Sequence, residues 1–234
     1  MWYNFLKRLG GVLMSKYAMS DIHGHYDKFI DMIKKINFSS EDELYIIGDI
    51  LDRGPMPLHI LDYIVSHKNI KLLKGNHESY FEDYYLYKDL STWYKEGGES
   101  TYTQLVMGNI FSEESIYNYI KKLPFIEVVD KFILVHAGLY FPKDYENMTI
   151  DEFISIQEEE ICINTRANVD NEKKFKDYTV ICGHTTVQSI TDNYEDTKIL
   201  HRNGTIYIDC GCFSRNSLGK LACLRLDDLK EFYI

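Results

Sequence analysis

Apolar residues along the chain fall into short unbroken runs separated by stretches of helical spacing, and this alternation repeats before the pattern changes. Lys16 to Met19, Leu44 to Ile47 and Ile70 to Lys74 are runs of strand length, the kind expected of a strand covered on both faces. Between them, Tyr26 to Ile36 puts Phe29, Ile30, Ile33 and Ile36 on one side of a helix. Leu58, Leu61, Ile64 and Val65 repeat that spacing in a second helix, opened by Pro57. Strand–helix alternation with right-handed crossovers brings the connecting loops to one edge of a sheet.

From Ser79 to Leu123 no strand signal intervenes; the segment is rich in aromatics, is broken by Gly97-Gly98, and reads as a helical cap beside that edge. After Pro124, Phe125 to Val129 and Phe132 to Val135 read as a hairpin turning at Asp130-Lys131. Pro142 to Asp177 is a polar excursion with one helix expected near Ile150 to Gln157. The closing runs, Thr179 to Cys182, Ser189 to Thr191, Ile199 to His201, Thr205 to Asp209 and Leu221 to Leu226, read as antiparallel strands of a second, mixed sheet packed on the first. With no linker signal, residues 14–234 are expected to form one α/β domain.

Composition narrows the function. The 234 residues carry a formal net charge of −10, which argues against a general nucleic-acid or anionic-membrane binder. No apolar run approaches a membrane span. Cys162, Cys182, Cys210, Cys212 and Cys223 are odd in number and lack zinc-knuckle spacing, so they read as reduced thiols of a cytoplasmic protein. Residues 1–13 have neither the long apolar core nor the cleavage site of a secretory signal, and Met14 reads as the natural start.

The chemistry sits where the apolar runs stop. SDIHG follows KYAM, GDILDRG follows LYII, GNHE follows IKLLK, FILVHAG ends in His136, and TVICGH ends in His184. Asp, His and Asn gathered at strand ends suit first-row divalent metals, and two ions sharing one carboxylate form a clamp for in-line attack on phosphorus. Arg53 offers a planar fork to two phosphate oxygens. His77 can give a proton to a leaving oxygen, with Asp52 fixing its tautomer. His25, His59, His67 and His201 belong to no such motif and read as structural or surface residues.

In this order, DIHG, GDILDRG, GNHE, HAG and GH resemble the signature of the PPP family of metallophosphoesterases, above all the small bacterial and phage serine/threonine protein phosphatases. The resemblance implies an α/β/β/α sandwich of two packed sheets with helices outside. It implies that Asp21, His23 and Asp49 hold one metal and that Asp49, Asn76, His136 and His184 hold the other. Manganese is the expected pair, with iron or zinc satisfying the same ligands. His77 with Asp52 is then the acid, and Arg53, Asn76 and Arg166 bind the substrate phosphate. The implied substrate is a phosphoserine or phosphothreonine in a phosphoprotein or phosphopeptide, the alternative a dinucleoside polyphosphate such as diadenosine tetraphosphate. Symmetrical-cleaving members of that second branch are expected to differ at His23 and Asp52. Both are intact here, which favours the phosphomonoesterase. A phosphoprotein-binding module without activity would need the clamp but not the acid.

Overall fold

Along strands β1 (Lys16–Met19), β2 (Glu43–Ile47) and β3 (Ile70–Leu73), successive side chains go to two different cores. Tyr17, Met19, Leu44, Ile46, Ile70 and Leu72 enter one apolar cluster, while Ala18, Tyr45, Ile47 and Leu73 enter the other. A period of two explains the split, and burial on both faces explains why the runs are unbroken. The computed structural model describes residues 14–108, 110–166, 173–202, 204–214 and 218–234. Residues 1–13, and with them the question of the start codon, lie outside this range.

The first core is closed by helices α1 (Tyr26–Lys35), α2 (Pro57–Ser66) and α3 (Asn76–Tyr87), followed by α4 (Leu90–Lys95), α5 (Glu99–Met107) and α6 (Glu113–Ile120). The expected helical segment after Ser79 is therefore present. The second core lies against β4 (Ile126–Val129), β5 (Phe132–Val135), β6 (Thr179–Cys182), β7 (Leu200–Arg202) and β8 (Thr205–Tyr207), with α7 (Ile150–Ser155), α8 (Glu159–Asn164) and α9 (Val187–Thr191) nearby. The first sheet has the order β10-β9-β1-β2-β3 and the second β4-β5-β6-β8-β7, where β9 is Ala222–Arg225 and β10 is Lys230–Tyr233. Both sheets are mixed, and helices flank each, so the expected α/β/β/α sandwich is observed.

Several local expectations need correction. Ser189 to Thr191 is helical, because the Thr186 hydroxyl caps the Ser189 N–H at 3.3 Å and starts α9. The closing strands do not make one antiparallel set: β6 lies parallel to both β5 and β8, and β9 crosses back to pair with β1. That return is a long-range pairing with no local signal. The polar excursion carries a second helix, α8, and the edge strand β10 was not expected at all.

Candidate metal centre

Strands β1, β2, β3, β5 and β6 end at one place, and their following residues form a buried cluster. Its backbone is unusual: Asp21, His23, Asp49, Asp52, Arg53 and His184 all have φ between 45° and 67°. Left-handed backbone at non-glycine residues costs roughly 1–3 kcal/mol each and gathers where function fixes it. Glycine is obligatory at Gly48, whose φ is +76° and where a Cβ would lie 2.7 Å from Gly75 Cα and from His136 Nδ1.

Glu78 holds this backbone in shape. Its fully buried carboxylate accepts N–H bonds from Asp49 at 2.8 Å, Ile50 at 3.0 Å, Leu51 at 3.3 Å and Gly75 at 2.8 Å. Burial, then the charge of Asp49, pushes the Glu78 carboxyl up from its ordinary value. The GNHE motif contains this residue and its partner Gly75, but the other three partners lie far away in sequence. Glu78→Ala is expected to destabilise the protein by about 3 kcal/mol or more, because it leaves several buried donors without acceptors. Urea denaturation checks this, and a loss below about 1 kcal/mol would reduce Glu78 to one ordinary hydrogen bond.

Asp49 is the centre. Its Oδ2 lies 3.6 Å from His23 Nε2, 3.4 Å from His136 Nε2 and 3.9 Å from His77 Nε2. Potential ligand atoms of His23, Asp49 and His77 fall within 4.8 Å of one another, and so do those of Asp49, His136 and His184. One carboxylate is thus common to two sets, the arrangement of a dinuclear site. The tautomers fit a cation. His23 Nδ1 donates to the Leu51 carbonyl at 3.1 Å and His136 Nδ1 to that of Ile47 at 2.9 Å, so each turns its Nε2 toward Asp49. Asn76 Oδ1 lies 2.9 Å from His136 Nε2 and 3.0 Å from His184 Nδ1.

The electrostatics agree with a site built for positive charge. Burial opposes protonation of His136, yet the Asp49 carboxylate outweighs it and pushes the imidazole up to about 10. Burial, with the neighbouring His136 and the nearby Arg166 guanidinium, pushes His184 down to about 3. Burial and His77 likewise lower His23. Asp21 is outside both ligand sets: its carboxylate accepts the His184 N–H at 3.0 and 3.2 Å. Burial and the charge of Asp209 raise Asp21, and burial pushes Asp209 itself up to about 6. Sequence reasoning passed over Asp209, whose only signal was an acid at the end of a strand run.

His77 and Asp52 meet, with Nδ1 donating to Oδ2 at 2.8 Å and both side chains fully buried. Asp52 Oδ2 also accepts the Trp93 indole N–H at 3.0 Å, and its Oδ1 accepts the Thr101 hydroxyl at 2.7 Å. The helical segment therefore clamps the carboxylate, a role its aromatic-rich sequence did not reveal. Among the described residues His77 Nε2 is buried without a hydrogen-bond partner, on the side facing Asp49. Both arginines are exposed; Arg53 Nη1 donates to His23 Nε2 at 2.9 Å, so its guanidinium stands at the cluster, whereas Arg166 reaches it through charge alone among the contacts described. All five cysteines are buried free thiols. Among the described residues, no helix is long and apolar enough to cross a membrane.

A symmetrical bis(5'-nucleosyl)-tetraphosphatase of Hamiltonella defensa is 30% identical over 131 residues, covering 54% of this chain and 45% of that protein. The chain thus spans about half the length of the curated relatives it matches. A solved structure whose name proposes a diadenosine tetraphosphatase superposes with a TM-score of 0.66 at 16% identity, over 96% of this chain and 94% of its own. A protein serine/threonine phosphatase from Saccharomyces cerevisiae superposes with a TM-score of 0.63 at 13% identity, over 94% and 79%. At such identities the solved structures speak for the fold alone.

These relatives overturn the expected phosphoprotein or phosphopeptide partner: the sequence likeness is to nucleotide hydrolases, and a protein phosphatase enters only as a shared fold. The physical reason is that strand-end motifs contact the phosphoryl group, which both substrate classes present alike. What the motifs do establish is broader: by its match over residues 14–211, the chain belongs to the calcineurin-like phosphoesterase family.

Proposed function

We propose that this chain hydrolyses nucleotides at a phosphate ester or anhydride, with a dinucleoside polyphosphate as its substrate class. The observation that carries the chemistry is the single Asp49 carboxylate common to two histidine clusters, one of them containing His77, whose ring is paired with the buried Asp52 carboxylate. The nucleotide class is supported by the relatives named above.

In this reading Asp21, which stands outside the two clusters, joins His23 and Asp49 in holding one divalent cation, Asp49, Asn76, His136 and His184 hold the other, and His77 is left to the proton transfer. When bound, such a pair neutralises phosphate charge and makes water a nucleophile at neutral pH. Arg53 holds phosphate oxygens at the cluster, aided by Asn76 and by the positive charge of Arg166. His77 donates the proton from Nε2 to the oxygen that leaves phosphorus. Asp52 keeps the other ring nitrogen protonated, and Trp93 and Thr101 keep Asp52 an acceptor facing His77.

The test compares kcat/KM of the manganese-loaded chain on diadenosine tetraphosphate and on a phosphoserine peptide. The expected preference for the dinucleotide is about tenfold or more, equivalent to about 1.4 kcal/mol in transition-state binding. A preference of that size for the peptide refutes the nucleotide assignment and leaves the metal chemistry standing.

A further inference from the structure

Arg53 is a hinge between the metal cluster and a groove that phosphate chemistry alone does not need. Its Nη1 reaches His23 Nε2 at 2.9 Å, while its guanidinium carbon stands 5.0 Å above the ring centre of Phe213. The same ring meets His23 edge-on at 5.8 Å. Gly97 fixes the side chain from behind: its carbonyl accepts the Arg53 N–H at 3.0 Å, and a Cβ there would lie 2.8 Å from Arg53 Cγ. From Arg53 a groove of about 560 Å³ opens, with Phe213, Tyr94, Lys95, Glu99 and Ser100 among its walls.

We propose that this groove is a nucleoside subsite, in which the base lies against the rings of Phe213 and Tyr94 while its phosphate chain runs over Arg53 to the metal cluster. The inference rests on the nucleotide reading above and adds where the base goes. Continuity is the first argument: whatever follows a phosphate held by Arg53 enters this groove. Chemistry is the second, since flat aromatic faces bind a heterocycle irrespective of its edge. Tyr94 is 37% exposed and so has ring surface to offer. Charge is the third: Lys95 continues the positive track from Arg53 on a chain of formal net charge −10. Glu99 and Ser100 add acceptors at the base's edge. The volume falls within the 300–1,000 Å³ usual for small-ligand sites.

A second aromatic pocket, about 280 Å³ between Tyr80, Tyr84, Tyr87 and Trp93, suits a polyanion poorly. Asp83 and Asp89 line it and, among the described residues, no cation does.

The test measures kcat/KM of the full manganese-loaded chain on diadenosine tetraphosphate and on inorganic tripolyphosphate, which has the same anhydride bond without a base. Phe213→Leu is expected to lower the ratio of the two about tenfold, and Phe213→Trp to restore it, since stacking contributes about 1–3 kcal/mol per base. A ratio unmoved by Phe213→Leu overturns the subsite while leaving the nucleotide reading intact. Quenching of 1,N6-ethenoadenosine monophosphate fluorescence gives a readout independent of turnover. Binding about tenfold weaker in Phe213→Leu and recovered in Phe213→Trp upholds the subsite even if the dinucleotide is not hydrolysed. Equal binding in all three proteins overturns it.

Discussion

Asp49→Asn is expected to give a folded protein that fails to hold two divalent cations and turns substrate over about three orders of magnitude more slowly. The size follows from the several kcal/mol of charge stabilisation that a bound cation supplies, at about 1.4 kcal/mol per tenfold in rate. The fold should survive because asparagine tolerates the left-handed backbone that position 49 adopts, with φ at 57°. Its amide can also keep the local bonds. Asp49 Oδ1 accepts the His77 N–H at 3.0 Å, which an amide oxygen can still do, while the amide N–H₂ replaces Oδ2 and faces the imidazole nitrogens. What is lost is the negative charge common to both ligand sets, and with it the Oδ2 donor atom. Elemental analysis after dialysis against manganese, with thermal melting alongside, separates the cases. Two cations retained per chain would contradict the sharing of Asp49, and an unfolded variant would show that its carboxylate serves the backbone instead.

How far the sequence reached depended on how local each feature is. β1, β2 and β3 could be read because burial on both faces leaves an unbroken apolar run, and the motif residues because each follows such a run. Ser189 to Thr191 misled because its β-branched and apolar residues are equally consistent with a short capped helix. β10 was missed because it is a half-exposed edge strand, with Lys230 at its start and no buried residue. In the site, the support was hidden by sequence distance. Glu78 reaches the Asp49 N–H across 29 positions, Trp93 reaches Asp52 across 41 and Thr101 across 49. Short motifs record which groups face the metals. They do not record which residues hold those groups still, or what lies beyond the phosphate.

His77→Asn is expected to lower kcat by about 10²–10⁴-fold, the range for losing a positioned general acid, with little change in metal content. The direction follows from geometry: Nδ1 is committed to Asp52 at 2.8 Å, and Nε2, on the side facing Asp49, has no partner among the described residues. The place within that range should depend on the leaving group, because an acid helps most where the departing oxygen is a strong base. An alkyl alcohol leaving from a phosphomonoester needs the proton at once. A nucleotide leaving from a dinucleoside polyphosphate departs as a phosphate whose charge is already stable, and p-nitrophenolate is equally undemanding. The variant should therefore lose most on an alkyl phosphate, less on diadenosine tetraphosphate and a similar amount on p-nitrophenyl phosphate. Asp52→Asn should reproduce the same order, since an amide no longer secures the proton on Nδ1. Losses equal on all three substrates would show that His77 positions substrate or metal and does not donate a proton. Full manganese content together with a graded loss would place the proton on the histidine and the nucleophile with the metals.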